Sequence, residues 1–265
     1  MSVAAVLEES ATAPAERSVV AVRQLTKHFG NRVVLDGVDL DIAPGSAVAL
    51  LGANGSGKST LLRCLIGLVA PTAGQARVLN QDVAALGSRD LTRLRARVGM
   101  IWQKHNLVPR LSVLTNVVHG VQSRRSGLRT WSHVFAPSDI RGEALACLEA
   151  VGLADRAGQR ADSLSGGQSQ RVAVARMLMQ RPEIVLADEP DASLDPRAGE
   201  EVMQTLHDLC KRKGLTLVFV SHRLEHAVRF SDRIIGLADG RIRFDKPAAA
   251  SDPAALRAFF TPVAA

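Results

Sequence analysis

Apolar and polar residues alternate over residues 19–42, most clearly where Val38, Leu40 and Ile42 are set against Asp39 and Asp41. Strand side chains point to opposite faces in turn, so this stretch predicts a half-exposed antiparallel sheet. Residues 47–51 form instead a continuous apolar run, as in a strand buried in a parallel sheet, and it feeds a Gly-rich turn. From Lys58 the period becomes helical, with Leu61, Leu62, Leu65 and Ile66 on one face and an end near Pro71. Residues 184–187 and 215–220 read as two more buried strands. The helix between them carries good end signals: Asp195 at the cap, Pro196 in the first turn, Glu200 and Glu201 early, Lys211 to Lys213 late, then Gly214. Strand, helix and strand in this order predict an α/β fold with a mostly parallel sheet.

Residues 106–161 show no strand of that quality and carry helical patches such as 143–151, which predicts a helical insertion. There is no internal repeat. The first 18 residues are rich in Ala, Ser and Glu, lack the charged start and apolar block of a signal peptide, and read as a disordered extension. Residues 248–265 form an Ala-rich tail whose cluster Leu256, Phe259 and Phe260 predicts a short packed helix.

The chain has 265 residues, 46% hydrophobic and 22% charged, which excludes wholesale disorder. No apolar run approaches the ~20 residues that span a bilayer. Cys64, Cys147 and Cys210 are widely spaced and suggest neither a disulfide framework nor a zinc site; a reducing cytoplasm fits. The net charge of +7 has an address: eleven basic residues face three acidic ones between Arg77 and Arg141, and the remainder is nearly neutral. A nucleic-acid surface, a membrane-facing surface and a solvated face all fit such a stretch.

The turn after the first buried strand reads Gly52-Ala53-Asn54-Gly55-Ser56-Gly57-Lys58-Ser59 and is followed by Thr60. Its glycines let backbone N–H groups converge on phosphate oxygens, and the helix start adds partial positive charge. Lys58 would reach the β- and γ-phosphates and the Ser59 hydroxyl would hold Mg²⁺. By chance the pattern arises in roughly one chain of this length in a hundred, and the strand-turn-helix context makes it rarer. Farther on, the strand 184–187 ends in Asp188 and Glu189. Acids at the C-terminal edge of a parallel sheet sit beside the nucleotide, Asp188 acting on Mg²⁺ and Glu189 polarising the attacking water.

The run Leu164-Ser165-Gly166-Gly167-Gln168, opening a helix just ahead of the acidic strand, resembles the signature of ATP-binding-cassette ATPases. The resemblance covers nearly all of residues 19–244. It implies a P-loop NTPase of RecA-like type: a parallel sheet core, an antiparallel β subdomain and a helical insertion over about 104–165, within an ATPase domain spanning 19–247. It also implies that Ser165, Gly166, Gly167 and Gln168 meet the γ-phosphate of an ATP held by the P-loop of another subunit. Gln103, at the end of the run 98–102, matches the Gln loop that contacts Mg²⁺ and water. Asp195 matches the residue that crosses the dimer interface, and His222 matches the switch histidine on the γ-phosphate. The family stacks adenine on a Tyr, which this chain lacks; Phe29 occupies that place, with His28 beside it, and stacking needs the ring alone. Ser169 departs from the Gln or Lys of many relatives.

The run 103–117, the block 187–196 and the basic insertion 122–141, with Trp131 and Phe135, resemble the ATPase subunits of phosphonate importers. The implied protein is a motor peripheral to the cytoplasmic face of the inner membrane. It would pair with a second copy of itself or a second cassette, close over two ATPs, and drive an integral membrane permease served by an external substrate-binding protein. The basic stretch is then the docking face. A cassette of a lipoprotein-release or cell-division complex is the alternative. Ribosomal relatives fuse two cassettes and repair relatives insert coiled coils or zinc modules; with neither here, no nucleic acid is expected.

Overall fold

Two sheets and the helices between them organise the chain in the computed structural model, which describes residues 18–125, 127, 131–251 and 256–257. The elements run β1 (Val20–Phe29), β2 (Arg32–Ile42), β3 (Ala47–Leu51), α1 (Lys58–Leu65), β4 (Ala73–Val78), β5 (Gln81–Asp82), α2 (Ser88–Arg97) and β6 (Val98–Ile101). They continue with α3 (Val113–Val118), α4 (Ser138–Ala150), α5 (Gly166–Leu178), β7 (Ile184–Asp188), α6 (Pro196–Lys213), β8 (Thr216–Val220), α7 (Leu224–Phe230), β9 (Arg233–Ala238) and β10 (Arg241–Pro247).

The alternating N-terminal segment forms an antiparallel sheet in the order β2-β1-β4-β5. The buried apolar runs form the second sheet, β10-β9-β3-β8-β7-β6, parallel throughout except for β10 at its edge. In its centre Leu50 is aligned with Val220 on one side and Ile235 on the other. The strands β9 and β10 go beyond the sequence expectation. The apolar run of β9 is short and broken by Gly236, and its pairing with β3, nearly two hundred residues earlier, leaves no local mark.

The parallel sheet divides the interior in two. Ala47, Ala49 and Leu51 of β3 join a cluster with Val185 and Ala187 of β7, Leu217 and Phe219 of β8, and buried residues of the helical insertion. Val48 and Leu50 point the other way, with Ile184, Leu186, Val218 and Val220, toward α1 and the antiparallel sheet. Each complete burial of a Leu or Val stabilises the fold by about 1.5–3 kcal/mol before entropy is subtracted.

The long helix α6 has the ends its sequence predicts: Asp195 Oδ1 accepts from Ala198 N at 3.0 Å, Pro196 occupies the first turn, and Gly214 closes the helix in a left-handed conformation. In the insertion, α3, α4 and α5 pack on one another. The helical unit expected over 104–165 thus leans on a helix that begins just past that boundary. Residues 1–17, where the N-terminal extension was expected, lie outside the described residues, as do Phe259 and Phe260. Leu256 is buried against the helical-side cluster, as the expectation of a packed tail requires.

Much of the basic stretch is used internally. Arg95 donates to the carbonyls of Ile66 and Gly67, and Arg97 forms a two-pronged pair with Glu183. Arg125 pairs with Asp139. Arg124 braces the insertion: its Nε donates to Met179 O and its Nη2 to Glu143 Oε1, both at 2.8 Å, and Arg181 reaches the same carboxylate. Arg129 lies outside the described residues. The same segment presents Trp131, Val134 and Phe135 to solvent.

Candidate functional site

The turn between β3 and α1 is a loop that only glycine could build at two positions. A side chain on Gly52 would meet Leu237 O at 2.3 Å, and Gly57 has φ 107° with Val34 O 2.6 Å from where its Cβ would be. Backbone carbonyls therefore press on the loop from β2 and β9, and its shape is set by packing as well as by its own residues. Gly57 caps α1 without any side-chain hydrogen bond, which leaves the first N–H groups of that helix for a ligand.

Lys58 is buried and folds back over the loop, donating to Gly52 O at 2.8 Å and Ala53 O at 2.9 Å. Burial pushes its ammonium below the ordinary lysine value, against the pull of Glu189 and then Asp188. Ser56 Oγ is buried without a hydrogen-bond partner. A loop whose lysine borrows carbonyls and whose buried hydroxyl is unmatched fits a polyphosphate, which supplies the missing acceptors.

The acidic strand end comes directly to this loop. Ser59 Oγ donates to Asp188 Oδ1 at 2.8 Å, pairing two hard oxygen donors of the kind Mg²⁺ prefers. Burial raises the Asp188 carboxyl above the ordinary value; the Ser59 hydrogen bond opposes this and the Glu189 charge adds to it. Such a carboxylate gains from a nearby cation. Glu189 follows in a left-handed backbone conformation, φ 52°, rare for a residue with a Cβ and costing about 1 kcal/mol. That twist turns its side chain toward His222, and His222 Nε2 donates to Glu189 Oε1 at 2.7 Å. A cleft of about 240 Å³ opens over these groups, lined by Arg32, Val34, Asn54, Gly55, Gly57, Lys58, Ser59, Thr60 and Glu189. A second, of about 370 Å³, lies between Gly52, Ala53 and His222 and reaches Arg257.

Other expected residues sit apart. Gln103 is exposed two residues beyond β6, outside the cluster hydrogen-bonded around Asp188 and Glu189. Ser165 starts α5 in a capping box with Gln168: Ser165 Oγ accepts from Gln168 N, and Gln168 Oε1 accepts from Ser165 N. Because that hydroxyl acts as an acceptor in the cap, its hydrogen can be donated outward. Ser165 and Gly166 are exposed, and none of residues 165–168 is among those lining the cleft over Lys58. The single chain therefore holds two glycine-bearing helix starts, those of α1 and α5, that face different surroundings. Asp195 caps α6 and is exposed at the surface. Phe29, at the tip of β1, is 51% exposed with the Lys27 ammonium 4.9 Å over its ring, and it is paired across the hairpin with Arg32 of the cleft.

Sequence reasoning passed over Arg32 and Val34, which the hairpin carries to the P-loop from more than twenty residues upstream, and over the charged cluster of Asp191, Glu200, Arg223 and His226. The four-residue spacing of His222 and His226 is a weak local signal of that cluster, since His222 precedes α7. The thiols stand apart from the chemistry: burial pushes Cys64 and Cys147 to about 11 and Cys210 to about 12. No group of three or more His, Cys, Asp and Glu that could hold a metal exists among the described residues.

The comparisons with known proteins agree with this geometry. The ABC transporter family pattern matches residues 35–192. The chain is 45% identical over 92% of its length, and 93% of the relative's, to a phosphonates import ATP-binding protein, PhnC, of Thiobacillus denitrificans. It is 48% identical over 87% of its length, and 91% of the relative's, to the PhnC of Frankia casuarinae. A phosphate-import ATP-binding protein, also PhnC, of Mycolicibacterium smegmatis is 47% identical, with 87% of each chain covered. Among solved structures, the ATP-binding cassette MJ0796, a dimer in a post-hydrolysis state with ADP and phosphate, superposes with a TM-score of 0.75 at 35% identity, covering 86% of this chain and 98% of the other. The parallel core, the P-loop at the end of β3 and the acidic end of β7 thus have one explanation: this chain belongs to the ABC transporter family and carries its ATPase domain.

Proposed function

We propose that this chain is the ATP-hydrolysing motor subunit of an importer for phosphonate or a related phosphorus oxyanion. The observation that carries the reading is the pairing of Ser59 with Asp188 and of Glu189 with His222, with Ser59 and Glu189 lining the same cleft as the buried Lys58. The transported class is supported by relatives whose names specify phosphonates or phosphate import, similar to this chain over nearly its whole length.

ATP is the substrate. Backbone N–H groups of Gly55, Ser56 and Gly57 and the start of α1 cradle its phosphates, Lys58 exchanges its loop carbonyls for phosphate oxygens, and Phe29 provides the ring for adenine. Mg²⁺, when bound beside Ser59, Asp188 and Gln103, neutralises charge on the β- and γ-phosphates. Glu189 takes a proton from the water that attacks the γ-phosphorus as the bond to the β-phosphate oxygen breaks. His222, released from Glu189, donates to the γ-phosphate. The exposed Ser165 and Gly166, with Gly167 and Asp195, complete the site on a second copy, since none of these groups lines the cleft over the chain's own Lys58. Closure over two ATPs and reopening after hydrolysis would move the permease.

No helix among the described residues is long and apolar enough to cross a membrane. The reading therefore requires a separate integral permease, with the motor held peripherally at the cytoplasmic face of the inner membrane and an external binding protein delivering the oxyanion. Reconstitution of the chain with its permease and binding protein in vesicles tests this. Phosphonate is expected to stimulate ATP hydrolysis, and Lys58→Ala to abolish it. Stimulation by phosphate alone redirects the assignment to phosphate import, and activity retained in Lys58→Ala overturns the motor reading.

A further inference from the structure

A charged cluster on the far side of His222 is not explained by phosphate chemistry. His226, in α7, is buried, with its side chain only 4% exposed. Its Nε2 donates to Glu200 Oε2 of α6 at 2.9 Å. Its Nδ1 lies 2.8 Å from Asp191 Oδ2, an electrostatic contact set off the line of the ring N–H. Asp191 is equally buried and belongs to the loop that runs from Glu189 to Asp195. Arg223 adds to this grip, donating to Pro196 O and standing 3.7 Å from Asp191 Oδ2. Arg229 pairs with Glu200 and donates to Gln204 Oε1, while the Phe230 ring packs edge-on against His226.

The positions matter more than the count. His222 precedes α7 and His226 lies in it four residues on, while Glu189 and Asp191 are two residues apart. The first pair of partners meets over the nucleotide cleft and the second meets in the interior. The segment carrying the switch histidine and the loop that ends in Asp195 are thereby fastened at two points, one wet and one dry. The buried Asp191 side chain, faced by both His226 and Arg223, resists sliding because parting it from them leaves a buried polar group unmatched.

We propose that His226 is a positioning residue, tying the segment that carries His222 to the loop that carries Asp195. Through this tie, the arrangement of His222 over one nucleotide sets the surface that the chain offers to its partner copy. The inference rests on the motor reading above and assigns to it a residue that touches neither nucleotide nor partner.

The test uses the full chain carrying Glu189→Gln, which slows hydrolysis, and measures ATP-dependent dimerisation by sedimentation and nucleotide affinity with a fluorescent ATP analogue. His226→Ala is expected to weaken the dimer by about tenfold while nucleotide affinity stays within about twofold and the melting temperature records any loss of fold. His226→Gln, which keeps a donor toward a carboxylate, is expected to recover most of that loss. Adding Asp191→Ala to His226→Ala is expected to weaken the dimer no further, since the two act through one contact. Dimer strength unchanged in His226→Ala overturns the inference, as does additivity of the two alanine changes or a fall in nucleotide affinity in step with stability. Failure of the Glu189→Gln chain itself to dimerise on ATP is a different result: it overturns the motor reading, and the inference with it.

Discussion

His222 Nε2 lies 2.7 Å from Glu189 Oε1, although the two residues stand on different strands' ends thirty-three positions apart. The contact spans neighbouring strands of the sheet, and Glu189 makes it from a left-handed backbone conformation just past the end of β7. Each group satisfies the other; in the proposed mechanism the pair parts over a γ-phosphate, leaving a base for water and a donor for phosphate.

Glu189→Gln keeps the shape and removes the base, so steady-state ATP hydrolysis is expected to fall by about 10²–10⁴-fold with nucleotide affinity unchanged. His222→Ala is expected to lower kcat by a similar order while sparing KM, because its contact belongs to the reacting phosphate. Rates measured with both variants against a nucleotide-binding assay check this, and a loss confined to binding refutes it.

Asp188 is a place where burial of a carboxyl works against the fold. Its carboxyl is raised by burial, so in the folded chain without cation the ionised form is disfavoured relative to the unfolded chain. The destabilisation is present above the raised value and disappears as pH falls through it. Asp188→Asn keeps an acceptor for Ser59 and loses the charge. The nucleotide-free melting temperature at neutral pH is expected to rise by about 2 °C, roughly what 1 kcal/mol is worth in a chain this size, with Mg²⁺-dependent hydrolysis lost. A lower melting temperature would contradict the assignment.

Glu143 behaves in the opposite way. Burial pushes its carboxyl up, but hydrogen bonds and charge from Arg181 and Arg124 outweigh this and hold it below the ordinary value. Its stabilisation is full above the ordinary carboxylate range and is lost as pH falls through the depressed value. Arg124→Gln or Glu143→Gln should therefore destabilise the helical insertion at neutral pH by roughly 1 kcal/mol and flatten the acid side of the stability curve. Denaturant melts from pH 7 down to the acid range measure both. The same arithmetic revises the basic stretch: Arg124 and Arg125 are committed to Glu143 and Asp139, so neutralising them disturbs the insertion before any docking face.

Phe29 offers an exposed aromatic ring at the expected adenine position. Base stacking on an aromatic is worth about 1–3 kcal/mol, so Phe29→Ala is expected to raise the KM for ATP by about tenfold and Phe29→Tyr to restore it, with kcat little changed. Equal KM values in all three chains would remove Phe29 from the site.

The parts legible in the sequence are those whose physics is local. The run Ala47 to Leu51, the glycines of the turn, the helical period after Lys58 and the caps of α6 each announce a strand, turn or helix within a dozen residues. Partnerships formed across the sheet left no such trace. Arg32 reaches Gly55 only because β2 is folded over the P-loop, Phe244 lies on Gly236 only after β10 pairs with β9, and the closure of His226 on Asp191 needs α7 seated beside α6. Charge was the least transferable reading, since a linear excess says nothing about which guanidinium finds a carboxylate or carbonyl at home.

In β3, Ala47 and Ala49 face the helical layer and Val48 and Leu50 face the antiparallel sheet. Up to Leu50, successive residues thus present small and large side chains to opposite halves of the molecule, and Leu51 at the strand's end returns to the helical side. A slip of β3 by one position against its neighbours would force bulk into the side built for alanine and open voids on the other, both at once. The same slip would rotate the turn that follows by half a revolution and aim its N–H groups into the protein. The direction in which the phosphate cradle faces is therefore encoded upstream of the cradle, in the size contrast of four side chains that never meet a nucleotide.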